Sequence, residues 1–168
     1  MKRNYKYWSE NLDMNKHPEG GYYKENYINP QHITDSELDV EFEGKRSLAT
    51  SIYFMLTENE VSKFHRLKSD EMWYYHDGCP LSVYVISKKG KLTVHKLGLD
   101  FEKGELPQIL VPAGTIFGSA IENPTKDDYS LVGCMVSFGF VIEDFELFSQ
   151  AELLEMYPEH KEVILKLT

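Results

Sequence analysis

The stretch from His65 to Gly78, His65-Arg66-Leu67-Lys68-Ser69-Asp70-Glu71-Met72-Trp73-Tyr74-Tyr75-His76-Asp77-Gly78, brings together the side chains best suited to acid–base chemistry. An imidazole titrates near neutral pH and can take a proton from a carbon acid, and a carboxyl group nearby can act as its partner. His65 and Glu71 are therefore the candidate catalytic pair. Side chains alternate along a strand, so Glu71, Trp73 and Tyr75 share one face, and Phe117, Ser119 and Ile121 share one face further on. A Glu71 that points inward brings the aromatic rings of Trp73 and Tyr75 with it. Tyr53 and Arg66 would add a hydroxyl and a cation, and Trp73, Tyr75, Phe117 and Ser119 would complete the candidate ligand-binding set. A lone His or Glu in a strand-rich chain is ordinarily a surface or structural group, and four of the other histidines are read that way. His17 fixes a Pro-Gly turn, His76 lies on the face opposite Glu71, His95 sits in a hairpin strand, and His160 caps a tail helix.

The elements that must position these residues are mostly strands. Tyr5, Trp8 and Leu12 recur at spacings of three and four and predict a short amphipathic helix over Asn4 to Leu12. The turn cluster His17-Pro18-Glu19-Gly20-Gly21 leads into a strand over Tyr22 to Ile28, and the polar, acidic stretch from Asn29 to Lys45 reads as a mobile loop. Short apolar or alternating runs follow, at Leu48 to Leu56, Glu71 to His76, Leu81 to Ser87, Lys91 to Leu97, Gln108 to Val111, Thr115 to Ile121, Tyr129 to Phe138 and Phe140 to Leu147. That rhythm predicts an all-β sandwich or barrel, with His65 in the loop before the strand of Glu71. Ser149-Gln150-Ala151-Glu152 is a capping box that opens a helix through Tyr157, and Pro158 ends it and starts another.

The 168 residues fit one domain, 1–168, with enough chain for a core that needs no disulfides. Aromatic residues at 13% favour packing across pleated sheets. A net charge of −9 without a basic cluster argues against nucleic-acid partners. No apolar run reaches the length of a membrane span, and the start MKRNYKYWSENLDMN lacks the apolar stretch of a secretion signal. A cytoplasmic protein is expected, with Cys79 and Cys134 as free thiols in or near the core.

His65, Glu71 and Gly78 resemble the first cupin motif, in which two His and one Glu coordinate a metal. Pro112-Ala113-Gly114-Thr115-Ile116-Phe117 resembles the second, a Pro-x-Gly turn followed by a His. Leu67 and Phe117 stand at two of the four expected ligand positions. The likeness extends along the chain through His17-Pro18-Glu19-Gly20-Gly21-Tyr22-Tyr23, Arg46-Ser47, Thr50-Ser51-Ile52-Tyr53-Phe54, Phe64-His65-Arg66, Ser69-Asp70-Glu71 and Val111-Pro112-Ala113-Gly114-Thr115. Together these segments resemble an uncharacterised single-domain cupin family, a domain of unknown function. The resemblance implies a double-stranded β-helix, or jelly-roll barrel, with short terminal helices, a homodimer, and kinship with keto-sugar-nucleotide epimerases and seed-storage cupins. In the cupin register His65 and Glu71 enter the barrel pocket, lined also by Tyr75 and Phe117.

The leading expectation is a cupin that binds a small polar metabolite, carbohydrate-like in character, with metal-independent isomerase or epimerase chemistry. A non-catalytic ligand-binding module is one alternative. A metal-dependent oxygenase or isomerase built on His65 and Glu71 is another, but an iron site of two His and one carboxylate needs a further His at a spacing this sequence does not supply. No cofactor and no tightly held metal are expected.

Overall fold

Strands whose apolar residues alternate need a second layer to cover them, and this chain supplies that layer twice. The computed structural model describes residues 3–34, 42 and 44–168. In chain order it contains helix α1 (Tyr5–Asn11) and strands β1 (Asn15–Lys16), β2 (Tyr22–Ile28), β3 (His32–Ile33), β4 (Arg46–Ser47), β5 (Thr50–Thr57), β6 (Ser62–Arg66) and β7 (Asp70–Gly78). Next come β8 (Leu81–Ile86), β9 (Leu92–Leu97), β10 (Glu105–Leu106), β11 (Gln108–Val111), β12 (Ile116–Ile121), β13 (Tyr129–Ser137) and β14 (Glu146–Leu147), then helices α2 (Gln150–Met156) and α3 (Lys161–Lys166). One six-stranded sheet has the order β1-β2-β5-β13-β7-β11 and the other β10-β9-β8-β12-β6-β14. Every pairing in them is antiparallel except β10 with β9.

The two sheets face each other across one apolar interior. Phe54 and Leu56 of β5, Trp73 of β7 and Val132 of β13 meet Leu81, Val83 and Val85 of β8 and Phe117 of β12. The outer faces are covered as well. Met55, Tyr129 and Leu131 pack beneath Tyr5, Trp8 and Leu12 of the N-terminal helical segment, while Phe64, Ile86, Ile116 and Ala120 pack beneath Leu153, Ile164 and Leu167 of the tail. All six residues of β12 are buried for this reason. Trimming one of these fully buried Leu or Ile side chains to Ala would cost about 2–5 kcal/mol.

The ends follow their capping chemistry. Asn4 accepts from the Tyr7 N–H at 3.0 Å, and Ser149 with Glu152 forms the expected capping box. Pro158 starts a 3₁₀ turn that runs into α3. His160 holds the N-cap position of α3, but its Nε2 bonds the Gly90 carbonyl at 2.7 Å, tying the tail to the Lys88-Lys89-Gly90 hairpin turn.

Three sequence expectations change. His65 lies within β6, a strand absent from the periodic runs. Phe140 to Leu147 is largely irregular, with a 3₁₀ turn at Ile142–Asp144 before the short β14. The polar stretch from Asn29 to Lys45 contains β3, which pairs with β4; its residues 35–41 and 43 lie outside the described residues. Among the described residues, no helix is long and apolar enough to cross a membrane.

Candidate functional site

Cross-strand neighbours on one face of a sheet stand side by side. In the first sheet this places Thr50, Val136 and Glu71 in one row, and Ile52, Cys134 and Trp73 in the next. These two rows form the floor of a cavity of about 180 Å³ at one mouth of the barrel. His65 and Leu67 contribute from the second sheet and the turn after β6. His17 and Glu19 enter from the turn before β2, and Phe140 and Phe145 close the side from the segment after β13. At this size the cavity falls below the roughly 300–1,000 Å³ typical of drug-sized ligands.

Glu19 is the polar centre of the site. It is 5% exposed although it sits in a turn. Gly20 makes this possible: its φ is +115°, and a Cβ there would stand 2.1 Å from the Val61 carbonyl oxygen, so only glycine lets the turn dock against β6. The Lys63 N–H donates to the Glu19 carbonyl at 2.9 Å, and the Ser62 hydroxyl donates to Glu19 Oε1 at 2.7 Å. Glu19 Oε2 lies 3.1 Å from His65 Nε2 and 3.6 Å from His17 Nδ1.

Protonation follows from these partners. His65 Nδ1 lies 2.7 Å from the Lys63 carbonyl, which can only accept, so Nδ1 carries a hydrogen. Burial lowers the His65 pKa to about 4, which leaves Nε2 unprotonated at neutral pH. Burial also raises Glu19, against the opposing pull of His17 and Ser62. The 3.1 Å contact between Glu19 Oε2 and His65 Nε2 is a hydrogen bond when either atom carries the proton. His17 is lowered as well, chiefly by burial.

Across the cavity, burial and then the nearby Glu19 charge push Glu71 up to about 8, against the milder influence of Trp73 and Cys134. Glu71 is 7% exposed, and its Oε2 has no hydrogen-bond partner; the indole Nε1 of Trp73 also lacks one. A buried polar group left unpaired costs about 1–3 kcal/mol, so the fold tolerates a deficit here. Burial raises the Cys134 thiol well above its usual value, so it remains a thiol.

His65, Glu71 and Trp73 thus meet at the cavity. Tyr75 points into the barrel interior but outside the cavity lining, its hydroxyl bonded to the Gly78 carbonyl at 2.6 Å. Phe117 stands behind His65, ring centroids 4.1 Å apart, and edge-on to Trp73 at 6.4 Å. Ser119 is fully buried on the same face of β12, also outside the lining. Tyr53 faces outward beside His76. Arg66 pairs with Glu146 at 2.8 Å and lies over the Phe148 ring, away from the cavity. Sequence reasoning missed Glu19 and gave His17 only a turn role, although both stand in one of the segments that carried the family likeness. Phe140 and Phe145 had no periodic signal.

Two antiparallel sheets closed face to face around a mouth-side cavity define a cupin-type β-barrel. The profile of the Cupin_5 family, described as Cupin superfamily (DUF985), matches residues 6–148, and the chain belongs to this family. An uncharacterized protein of Saccharomyces cerevisiae, YML079W, is 30% identical over 139 residues, covering 77% of this chain and 67% of the yeast protein. The structure of protein SO0799 from Shewanella oneidensis is similar with a TM-score of 0.88 and 49% identity, covering 99% of this chain and 98% of that one. A hypothetical protein from Leishmania major gives a TM-score of 0.90 at 38% identity, with 99% of both chains covered. Oxalate decarboxylase from Bacillus subtilis shares the fold alone, with a TM-score of 0.54 and 17% identity over 92% of this chain and 37% of the enzyme.

The metal of the first and second cupin motifs does not fit this donor set. Leu67 and Phe117, both buried in the apolar interior, occupy two of the expected ligand positions. Among the described residues, no three His, Cys, Asp or Glu side chains converge as metal ligands. Three or more such ligands are the norm for zinc and non-haem iron.

Proposed function

We propose that the cavity binds a small polar metabolite and supports metal-independent proton transfer of the isomerase or epimerase kind. The observation that carries this reading is the buried Glu19–His65 contact at 3.1 Å, set in a cavity of about 180 Å³ opposite Glu71, whose Oε2 has no hydrogen-bond partner. In this reading a proton from a carbon acid passes to Glu19 as the proton already held there moves to His65 Nε2. Proton uptake by the pair then ends on the imidazole, and the reverse relay returns a proton to the carbon. Glu71 holds the ligand's polar group on the far side. The aromatic wall excludes water and strengthens these interactions.

A binding module without turnover is the second reading. It is favoured by one detail: Glu19 already engages His65 Nε2, so the imidazole presents no free lone pair to a ligand. Incubation with small hydroxyketones and amino sugars in D₂O separates the two readings. Proton transfer predicts loss of an α-proton signal in ¹H NMR with the wild type and none with His65→Ala. Ligand-induced shifts at the cavity without any exchange would leave the binding module.

A further inference from the structure

The described cavity lining carries acids and no fixed cation: it holds the carboxyl groups of Glu19, Glu25 and Glu71 and neither Lys nor Arg. A phosphate or carboxylate placed inside would meet no fixed cation to offset its desolvation. The remaining wall is rich in rings: Phe54 and Trp73 meet edge-on with centroids 5.8 Å apart, and Phe140 and Phe145 do so at 6.2 Å. Aromatic faces attract cations through their quadrupole, and a desolvated site strengthens that attraction. The net charge of −9 adds a long-range field of the same sign preference.

We propose that the ligand is a small organic cation, a primary ammonium on a short carbon skeleton, held by the buried Glu71 carboxyl through its unpartnered Oε2, among the Trp73, Phe54 and Phe145 rings. This rests on the cavity being a metabolite site, as proposed above, and narrows its substrate class. The ammonium supplies the hydrogen-bond donor that Glu71 Oε2 lacks. Glu71 is held largely as the acid at neutral pH, with Glu19, His65, Trp73 and Cys134 as its polar surroundings. Pairing with an ammonium converts it to the carboxylate, so binding releases the Glu71 proton to solvent while the ligand keeps its own.

Three probes of like shape test this at pH 7: n-butylammonium, n-butanol and butyrate, each titrated against the full chain while the Trp73 indole resonance is followed by NMR. The ammonium is expected to bind at least about tenfold more tightly than either of the others, with proton release approaching one per site in a pH-stat titration. Glu71→Gln should abolish both the preference and the release. The proton measurement on wild-type protein stands even if that variant folds poorly. Equal or tighter binding of butanol or butyrate would overturn the ammonium assignment and leave the metabolite site intact. Tight ammonium binding without proton release would remove Glu71 as the anchor and overturn it as well. If none of the probes shifts the Trp73 indole, both the assignment and the metabolite site fall.

Discussion

Replacing Glu71 by Gln keeps the size of the protonated side chain and removes its ability to ionise. In the unfolded chain Glu71 titrates at its usual value of 4.5, and in the folded chain at about 8. Between these pH values the native state holds a proton that the unfolded state has lost, so wild-type stability falls as pH rises. At about 1.4 kcal/mol per pH unit, the loss reaches roughly 5 kcal/mol by pH 8 and then levels off. His65 acts in the opposite direction over a lower window. Its folded pKa of about 4 against the usual 6.5 makes stability rise with pH across that interval. The two slopes oppose each other below pH 6.5 in the wild type, which is why the difference between variant and wild type is the informative quantity. Urea unfolding at pH 5, 6, 7 and 8 should show the stability of Glu71→Gln relative to wild type climbing by about 1.4 kcal/mol per unit. Any fixed cost of seating the amide shifts the line without tilting it. A difference that is flat over pH 5 to 8, or that declines, would mean that Glu71 is already a stabilised carboxylate in the folded protein.

Arg46 and Asp144 form a buried two-point ion pair at 3.0 and 3.1 Å, so either single Ala variant should lose about 3–5 kcal/mol and the double variant clearly less than the sum. A double-mutant cycle with no coupling would refute that pairing. Gly20→Ala should destabilise by about 3 kcal/mol or more in denaturant unfolding, because the new Cβ would collide with the Val61 backbone. Gly44→Ala is the control: φ there is +78° with no atom of the described residues within 4 Å of the new Cβ, so only about 1 kcal/mol of backbone strain is expected. Sedimentation at micromolar concentration should show a homodimer, since among the described residues β1 pairs only with Tyr22 and Tyr23 and the exposed Tyr27 and Ile28 lie at the far end of β2; a monomer would remove the expectation.

Strands with one solvent face announce themselves in sequence. The run Gln108 to Val111 alternates between exposed and buried, and its bounds match β11. β6 gives no such signal because both of its faces are covered: Phe64 packs under the tail helices while His65 faces the cavity, so adjacent residues are both buried. Parity also carried Glu71 and Trp73 to the same face, but it has a limited reach. The register of β7 against β13 shifts beyond Tyr75, and Asp77 turns outward, where it accepts from the Trp8 indole at 3.0 Å and the Tyr129 hydroxyl at 2.8 Å. Glu19 was illegible for a different reason. A carboxylate beside two glycines in a turn has the composition of exposed loop, and only the docking of that turn onto the Val61 and Lys63 backbone buries it. The aromatic wall at Phe140 and Phe145 lies in irregular chain, where no period exists to read.

The docked turn around Glu19 has a dynamic consequence. The turn is located by backbone contacts: the steric seat of Gly20, the His17 N–H to Gly21 carbonyl bond at 3.0 Å and the Lys63 N–H on the Glu19 carbonyl. None of these depends on whether the side chain is charged. In the proposed reading a proton can therefore leave or return without the turn having to move, and the surrounding dipoles need little reorganisation when it does. On that reading the site acts as a rigid proton reservoir, whose exchange with a bound molecule is governed by the alignment of that molecule rather than by motion of the turn.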